Sequence, residues 1–209
     1  MGHTDVELDA RSEANRTHET NVGDFIADAY RAALGADVAL FNGGSIRADT
    51  IIGAGDLTRR DVLSMLPFKN KVVKVEVTGA TLRAALEHGV SRSAEDKEPG
   101  RFPQVSGLRF SFDASRPAGS RLTSVTVGGQ PLDEQRTYTL AAPTFVVKDA
   151  GDGYTMFRGV KFLVQPEQGL TDSDILRDAI AAVKSIAPQT DGRIRREDTP
   201  ASERAKCDR

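Results

Sequence analysis

Residues 39–49 read ALFNGGSIRAD, and the rest of the chain is organised around them. The apolar run from Val38 to Phe41 predicts a strand that stops at Asn42. Gly43 and Gly44 then allow a turn with positive φ and a close backbone approach to a ligand, with no Cβ in the way. Asn42 offers an amide that donates and accepts, and Arg47 a planar, permanently charged fork suited to phosphate. A strand end opening into a glycine turn beside an arginine is a place to hold an anion. On spacing alone the plainer reading is preferred, an ordinary strand-ending loop with a surface arginine.

At 209 residues the chain has room for one domain with a substantial core, and neither an internal repeat nor a clear linker divides it. Residues 1–195 are therefore expected to form one domain, followed by a disordered tail over 196–209. With 28 Lys and Arg against 30 Asp and Glu, the formal charge is −2. That balance gives no broad basic surface for nucleic acid or acidic lipid. No apolar run approaches the length of a membrane span, and no signal peptide is visible. The opening MGHTDVE is compatible with a start-codon scar ahead of a fragment. Cys207 is the single cysteine, so no internal disulfide is possible.

Residues 1–20 are polar and lack periodicity. A helix is expected from Asn21, with Asn21 as cap, Asp24 in the first turn and Gly35 as stop. Its core stripe is Val22, Phe25, Ile26, Ala29 and Ala33; Asp24 and Asp28 read either as functional carboxylates or, preferably, as a dipole-compensating pair on the solvated side. Thr58 opens a short helix ending at Pro67, and residues 72–77 alternate as a strand with one buried and one wet face. Thr78 caps a helix over 79–88, in which His88 reads as structural. Residues 91–101 form a solvated loop, and strands follow over 105–112, 121–127 and 137–142. Thr171 or Asp172 caps a last helix, with Ile175, Leu176, Ala179, Ile180 and Val183 inward and an end near Ala187. The fold class is mixed α/β (α+β), with helices layered on mixed β-sheets.

Two phenylalanines stand out because they fall in loops. Phe68 and Phe145 are either anchors packed on the core or exposed rings that stack on a flat ligand. Asp152, between two glycines in AGDGY, can accept two hydrogen bonds from a ribose diol, or simply serve turn chemistry. The three histidines, at 3, 18 and 88, are scattered and form no metal-ligand spacing. Neither a G-x-S-x-G turn nor a GKS/GKT phosphate loop is present. A di-metal phosphatase centre needs grouped His, Asp and Asn ligands that this chain does not supply.

Five ordered stretches, RTHETNVGDFIADAYR, ALFNGGSIRAD, LPFKN, GRFPQVSGLRFSFD and TF…GDGY, resemble the C-terminal domain of the 5′-nucleotidase family. That family includes UDP-sugar hydrolases, ecto-5′-nucleotidases and 2′,3′-cyclic-nucleotide phosphodiesterases, and the resemblance spans residues 8–194. It implies a substrate-binding domain that grips a nucleoside, adenosine-type, and rotates to bring it to a separate N-terminal metallophosphoesterase domain carrying two divalent metals. It implies that Phe68 and Phe145 clamp the base and that Asp152 accepts the ribose diol. Arg16 and Arg47 would lie near phosphate and ribose, Asn42 beside base or sugar, and Gly43 and Gly44 would admit the backbone. No cofactor is expected in this chain, and no hydrolysis by the chain alone. A periplasmic or extracellular location is implied by the resemblance. Three departures stand out: Ser45 replaces the third glycine of NGGGIR, Asp24 replaces an asparagine, and AGDGY replaces GGDGY. The interval from Phe145 to Asp152 is also one residue longer than the resemblance leads one to expect. The alternative is a free-standing nucleoside-binding or interaction module.

Overall fold

The computed structural model describes residues 1–93 and 99–198. The chain opens with β1 (Gly2–Thr4), β2 (Leu8–Asp9), the single turn α1 (Ser12–Asn15) and the long helix α2 (Asn21–Leu34). Next come β3 (Val38–Asn42), a 3-10 turn at Gly43–Ser45, β4 (Ile51–Ile52), β5 (Gly55–Leu57) and α3 (Arg59–Met65). The middle of the chain supplies β6 (Lys71–Thr78), α4 (Gly79–Gly89), β7 (Pro103–Ser106), β8 (Leu108–Phe112), β9 (Leu122–Val127) and β10 (Gln130–Pro131). The remainder is β11 (Thr137–Pro143), α5 (Thr144–Val147), β12 (Lys161–Val164), β13 (Leu170–Thr171), α6 (Asp172–Val183), β14 (Ser185–Ile186) and β15 (Ile194–Arg196).

A mixed sheet in the order β12-β6-β11-β3-β7 forms the centre, with β13 sharing the β6 edge. β3 runs parallel to β11, while β6 and β7 are antiparallel to their neighbours. Both faces of β3 are covered, which is why its residues are apolar without alternation. Val38 and Leu40 join the core under α4 and the second sheet, β10-β9-β8-β15. Ala39 and Phe41 join the core under α2 and α6. β6 alternates as expected, with Val73, Val75 and Val77 buried and Lys74 and Glu76 half-buried.

Several local expectations are corrected. Residues 1–20 do contain regular elements, because β1 is the central strand between β14 and β5. Thr20, not Asn21, caps α2: its hydroxyl accepts from Gly23 N, while Asn21 bonds Asp9 N and Glu7 O. In α2, Ala33 is exposed and the fully buried Tyr30 takes the inward place. The segment 105–112 is two strands, since Gly107 (φ 74) breaks it and passes β7 in the central sheet to β8 in the second. α6 stops at Val183, whose side chain is exposed, because Lys184 turns to φ 64 and β14 pairs with β1. Order continues past 195: β15 pairs with β8 through Arg196, and Asp198 Oδ1 accepts from Ala114 N at 3.1 Å. The rest of the expected tail, 199–209, lies outside the described residues, as does 94–98 of the expected loop.

Asp24 is not on a solvated face. It is buried, and neither carboxyl oxygen accepts a hydrogen bond among the described residues. Glu19 beside it accepts from three backbone N–H groups, those of Asp191, Gly192 and Ile194. Burial first, and then the Glu19 charge, push the Asp24 carboxyl up to about 9, against the attraction of Arg193 at 3.3 Å. A neutral acid there can donate to Glu19, much as an asparagine would. The folded chain then holds a proton that the unfolded chain has lost above about pH 4. This contribution to stability is complete below that pH and is lost as pH rises toward 9. Asp24→Asn is expected to raise Tm at pH 8, by about 2–4 °C per kcal/mol regained, and to leave Tm near pH 4 almost unchanged. Parallel Tm-against-pH curves for the two proteins would disprove the neutral acid.

Candidate functional site

The register of the central sheet collects the candidate residues. Asn42 ends β3 opposite Pro103 at the start of β7, and Pro143 ends β11 opposite Val72 near the start of β6. Segments preceding β6 and β7 and following β3 and β11 therefore meet at one edge. The crevice beyond the carboxyl ends of parallel strands is the usual ligand position in sheets of this kind. Here it is a cavity of about 430 Å³ lined by Arg16, Asn42, Gly44, Ser45, Arg47, Phe68, Asn70, Gly100, Phe145 and Asp152.

A buried polar network fixes the arginine side of the cavity. Asn15 Nδ2 donates to the carbonyls of Asp9 and Arg11, and Thr20 Oγ1 donates to Asn15 Oδ1 at 2.6 Å. Gln104 Nε2, from β7, donates to the carbonyls of Asn15 and His18. Arg16, the residue capping α1, is thereby carried to the cavity rim. Its charge and that of Arg47 both act on Asp49, whose exposed carboxylate is held low first by the Ser12 backbone N–H.

Gly43 and Gly44 are needed for a reason other than the expected one. Neither has positive φ. A Cβ on Gly43 would lie 1.9 Å from the Asn15 carbonyl oxygen, and one on Gly44 2.8 Å from Gly100 Cα. The glycines admit other parts of the backbone, and Gly43 sits behind the cavity wall rather than in it.

The two phenylalanines differ in setting. Phe68 is 58% exposed, with the Arg47 guanidinium carbon 5.9 Å from its ring centroid. Phe145 is half-buried on the one-turn α5 rather than in a loop, and its ring packs on the Gly151 backbone, where a Cβ would come within 2.3 Å of the ring. Asp152 adopts φ 52 within a 3-10 turn. Its Oδ2 accepts from Asn42 Nδ2 at 2.7 Å, and its backbone carbonyl accepts from His88 Nε2 at 2.9 Å. His88 also meets the Tyr154 ring edge-on, so its structural reading stands with a defined task, holding the Asp152 turn. Burial lowers the His88 pKa, which favours a neutral ring with one N–H to donate.

Sequence reasoning missed three lining residues, Ser45, Asn70 and Gly100. Each lies inside a motif already singled out, and no spacing rule distinguishes it there.

A divalent metal does not fit the one acidic group found among the described residues, Glu19, Asp24 and Asp191. Glu19 is occupied by backbone donors, and the Arg193 guanidinium already lies 3.1 Å from Asp191 and 3.3 Å from Asp24. A second hollow of about 300 Å³, at the opposite end of β7, is lined by Arg31, Arg109 and Arg193. These bond to Ser106, Asp191 and Asp28 respectively, so two of the three guanidinium groups are paired with carboxylates and the third with a hydroxyl.

Residues 1–159 match the family described as "5′-nucleotidase, C-terminal domain". The chain belongs to that family. It is 35% identical over 205 residues to the trifunctional nucleotide phosphoesterase protein YfkN of Bacillus subtilis, covering 93% of this chain and 14% of that protein. A snake venom 5′-nucleotidase of Gloydius brevicauda is 31% identical over 214 residues, with 93% and 36% covered. The crystal structure of a 5′-nucleotidase precursor from Thermus thermophilus superposes with a TM-score of 0.88 at 34% identity, over 95% of this chain and 39% of that one. The chain thus spans well under half the length of these relatives. No helix among the described residues is long and apolar enough to cross a membrane.

Packing at the first glycine gives a direct check. Gly43→Ala is expected to lower stability by about 1–3 kcal/mol through overpacking against fixed backbone. Gly53→Ala, where nothing lies within 4 Å, should change it little. Urea unfolding of both variants measures the difference, and equal midpoints would refute the tight approach of Asn15 to the turn.

Proposed function

We propose that this domain grips the nucleoside part of a nucleotide, adenosine-type, and presents its phosphate to a separate metallophosphoesterase domain carrying two divalent metals. One observation carries the reading: a single cavity gathers Phe68, Phe145, Asp152, Asn42, Arg16 and Arg47 from four separate stretches of chain. In this reading the base stacks on the two phenylalanine rings, which tolerate any heterocycle because every base has a π-face. Asp152 accepts from the ribose hydroxyls, and Asn42 lies beside base or sugar. Arg16 and Arg47 attract the phosphate side without performing chemistry. Bond cleavage is assigned to the metal-bearing domain, since the acidic cluster found among the described residues is already committed to backbone donors and Arg193. A periplasmic or extracellular setting is part of the proposal, supported by the venom relative.

Titration calorimetry with adenosine, its monophosphate and free adenine tests it. Phe68→Ala should weaken all three by about 5- to 100-fold, the effect of removing one stacking ring. Asp152→Ala should weaken the two ribosides and leave adenine nearly unaffected. The chain alone, with added Mn²⁺ or Zn²⁺, should show no phosphatase activity. Undetectable binding at millimolar ligand, or robust turnover by rigorously purified chain, would overturn the proposal.

A further inference from the structure

Ser45 is the departure from the family's glycine pattern that the proposed role leaves unused. It is 4% exposed, and its hydroxyl donates to Asn42 Oδ1 at 2.7 Å. The other end of the same amide, Asn42 Nδ2, donates to Asp152 Oδ2 at 2.7 Å. A carboxylate accepts only, so the amide end facing Asp152 must be the NH₂. The oxygen then faces Ser45, where a hydroxyl can donate to it. Both ends agree on one orientation of an amide that is itself 3% exposed. Across this relay, residues 110 positions apart in sequence are joined in the cavity wall. Asp152 Oδ1 has no hydrogen-bonding partner among the described residues, while Oδ2 is occupied.

We infer that Ser45 is a positioning residue for sugar recognition, acting through Asn42 to hold the Asp152 carboxylate with one oxygen occupied and the other presented to a ribose diol. This inference rests on the proposed nucleoside site and adds a determinant to it. Glycine at 45 has no hydroxyl to donate, leaving Asn42 Oδ1 without that partner and the amide held from one side only. A buried carbonyl without a donor is costly, and an amide anchored only through Nδ2 is free to tilt, so Asp152 loses its fixed aim. The consequence falls on ligands that use the diol. Ribonucleosides should therefore owe more of their affinity to Ser45 than 2′-deoxyribonucleosides do.

The test measures dissociation constants of adenosine and 2′-deoxyadenosine for the full chain and for Ser45→Ala, Ser45→Gly and Ser45→Thr. Ser45→Ala and Ser45→Gly should weaken adenosine by about five-fold, the typical effect of one lost hydrogen bond, and 2′-deoxyadenosine less than about two-fold. Ser45→Thr keeps the hydroxyl and should restore the wild-type ratio. A merely structural serine would weaken both nucleosides equally, and that result, or an unchanged ratio in a folded Ser45→Ala protein, overturns the inference. The Asn42 side-chain amide provides a readout that needs no ligand. Its NH₂ resonances should show slowed hydrogen exchange in the wild type and faster exchange in Ser45→Ala. Unaltered exchange refutes the relay itself. Should the wild type bind neither nucleoside while the amide responds as expected, the nucleoside site fails, and with it the sugar assignment, but the relay stands.

Discussion

The pairing of β3 beside β11 in parallel, with β6 and β7 antiparallel on either side, is the constraint on which the site depends. Strand register is quantised in steps of one residue, and a slip by one would turn every side chain to the opposite face. In this register, Val38 and Leu40 face one core, while Ala39 and Phe41 face the other. Two cores on opposite faces make slippage costly on both sides at once. Asn42 is the first residue beyond the doubly covered run. Its position, and that of every loop meeting at that edge, follows from apolar burial several residues away.

Much of this is visible in the linear chain, for physical reasons that differ from element to element. β6 was readable because one face is covered and the other partly wet, so its valines alternate with charges. α3 was readable from Thr58 at its start, and the structure shows why: Thr58 forms a reciprocal capping box with Asp61. The failures share a different cause: a remote partner overrides a local signal. α6 has helix-forming residues beyond Val183, yet Ser185 and Ile186 pair with the chain's first strand. Asp24 sits where a dipole-compensating acid belongs, and nothing local reveals that Glu19 and Arg193 enclose it. The cavity was legible at the level of motifs. Ser45 was visible only as a missing glycine, because its partner is an amide whose other end meets a residue far along the chain.

The glycines separate two demands that sequence alone conflates. At Gly107 the backbone itself requires φ 74, and the strand breaks there to change sheets. At Gly43 and Gly44 the φ values are ordinary and the demand is room, set by the Asn15 carbonyl and Gly100. The distinction matters at Ser45, the next residue, which has neither demand. A side chain is free to stand there, and it is used to satisfy Asn42.

The cavity walls are unequal in rigidity, and this sets how a flat ligand would be held. Phe145 is backed by the Gly151 backbone, on a turn fixed in part by the His88 bond to Asp152. That turn includes two non-glycine residues with positive φ, Ala150 and Asp152, each adding about 1–2 kcal/mol of local strain. Such conformations persist only where surrounding contacts over-determine them. Phe68 stands opposite in character, 58% exposed and touched by the Arg47 guanidinium. Its ring can shift by rotation about two side-chain torsions without disturbing the core. A ligand entering here would meet one fixed plate and one adjustable plate. In the proposed function the fixed side would set orientation through Asp152 and Asn42, and the adjustable side would accommodate differences in the size of the heterocycle. For the proposed nucleoside, that division would let tolerance toward the base coexist with strictness toward the sugar, since different walls would enforce the two.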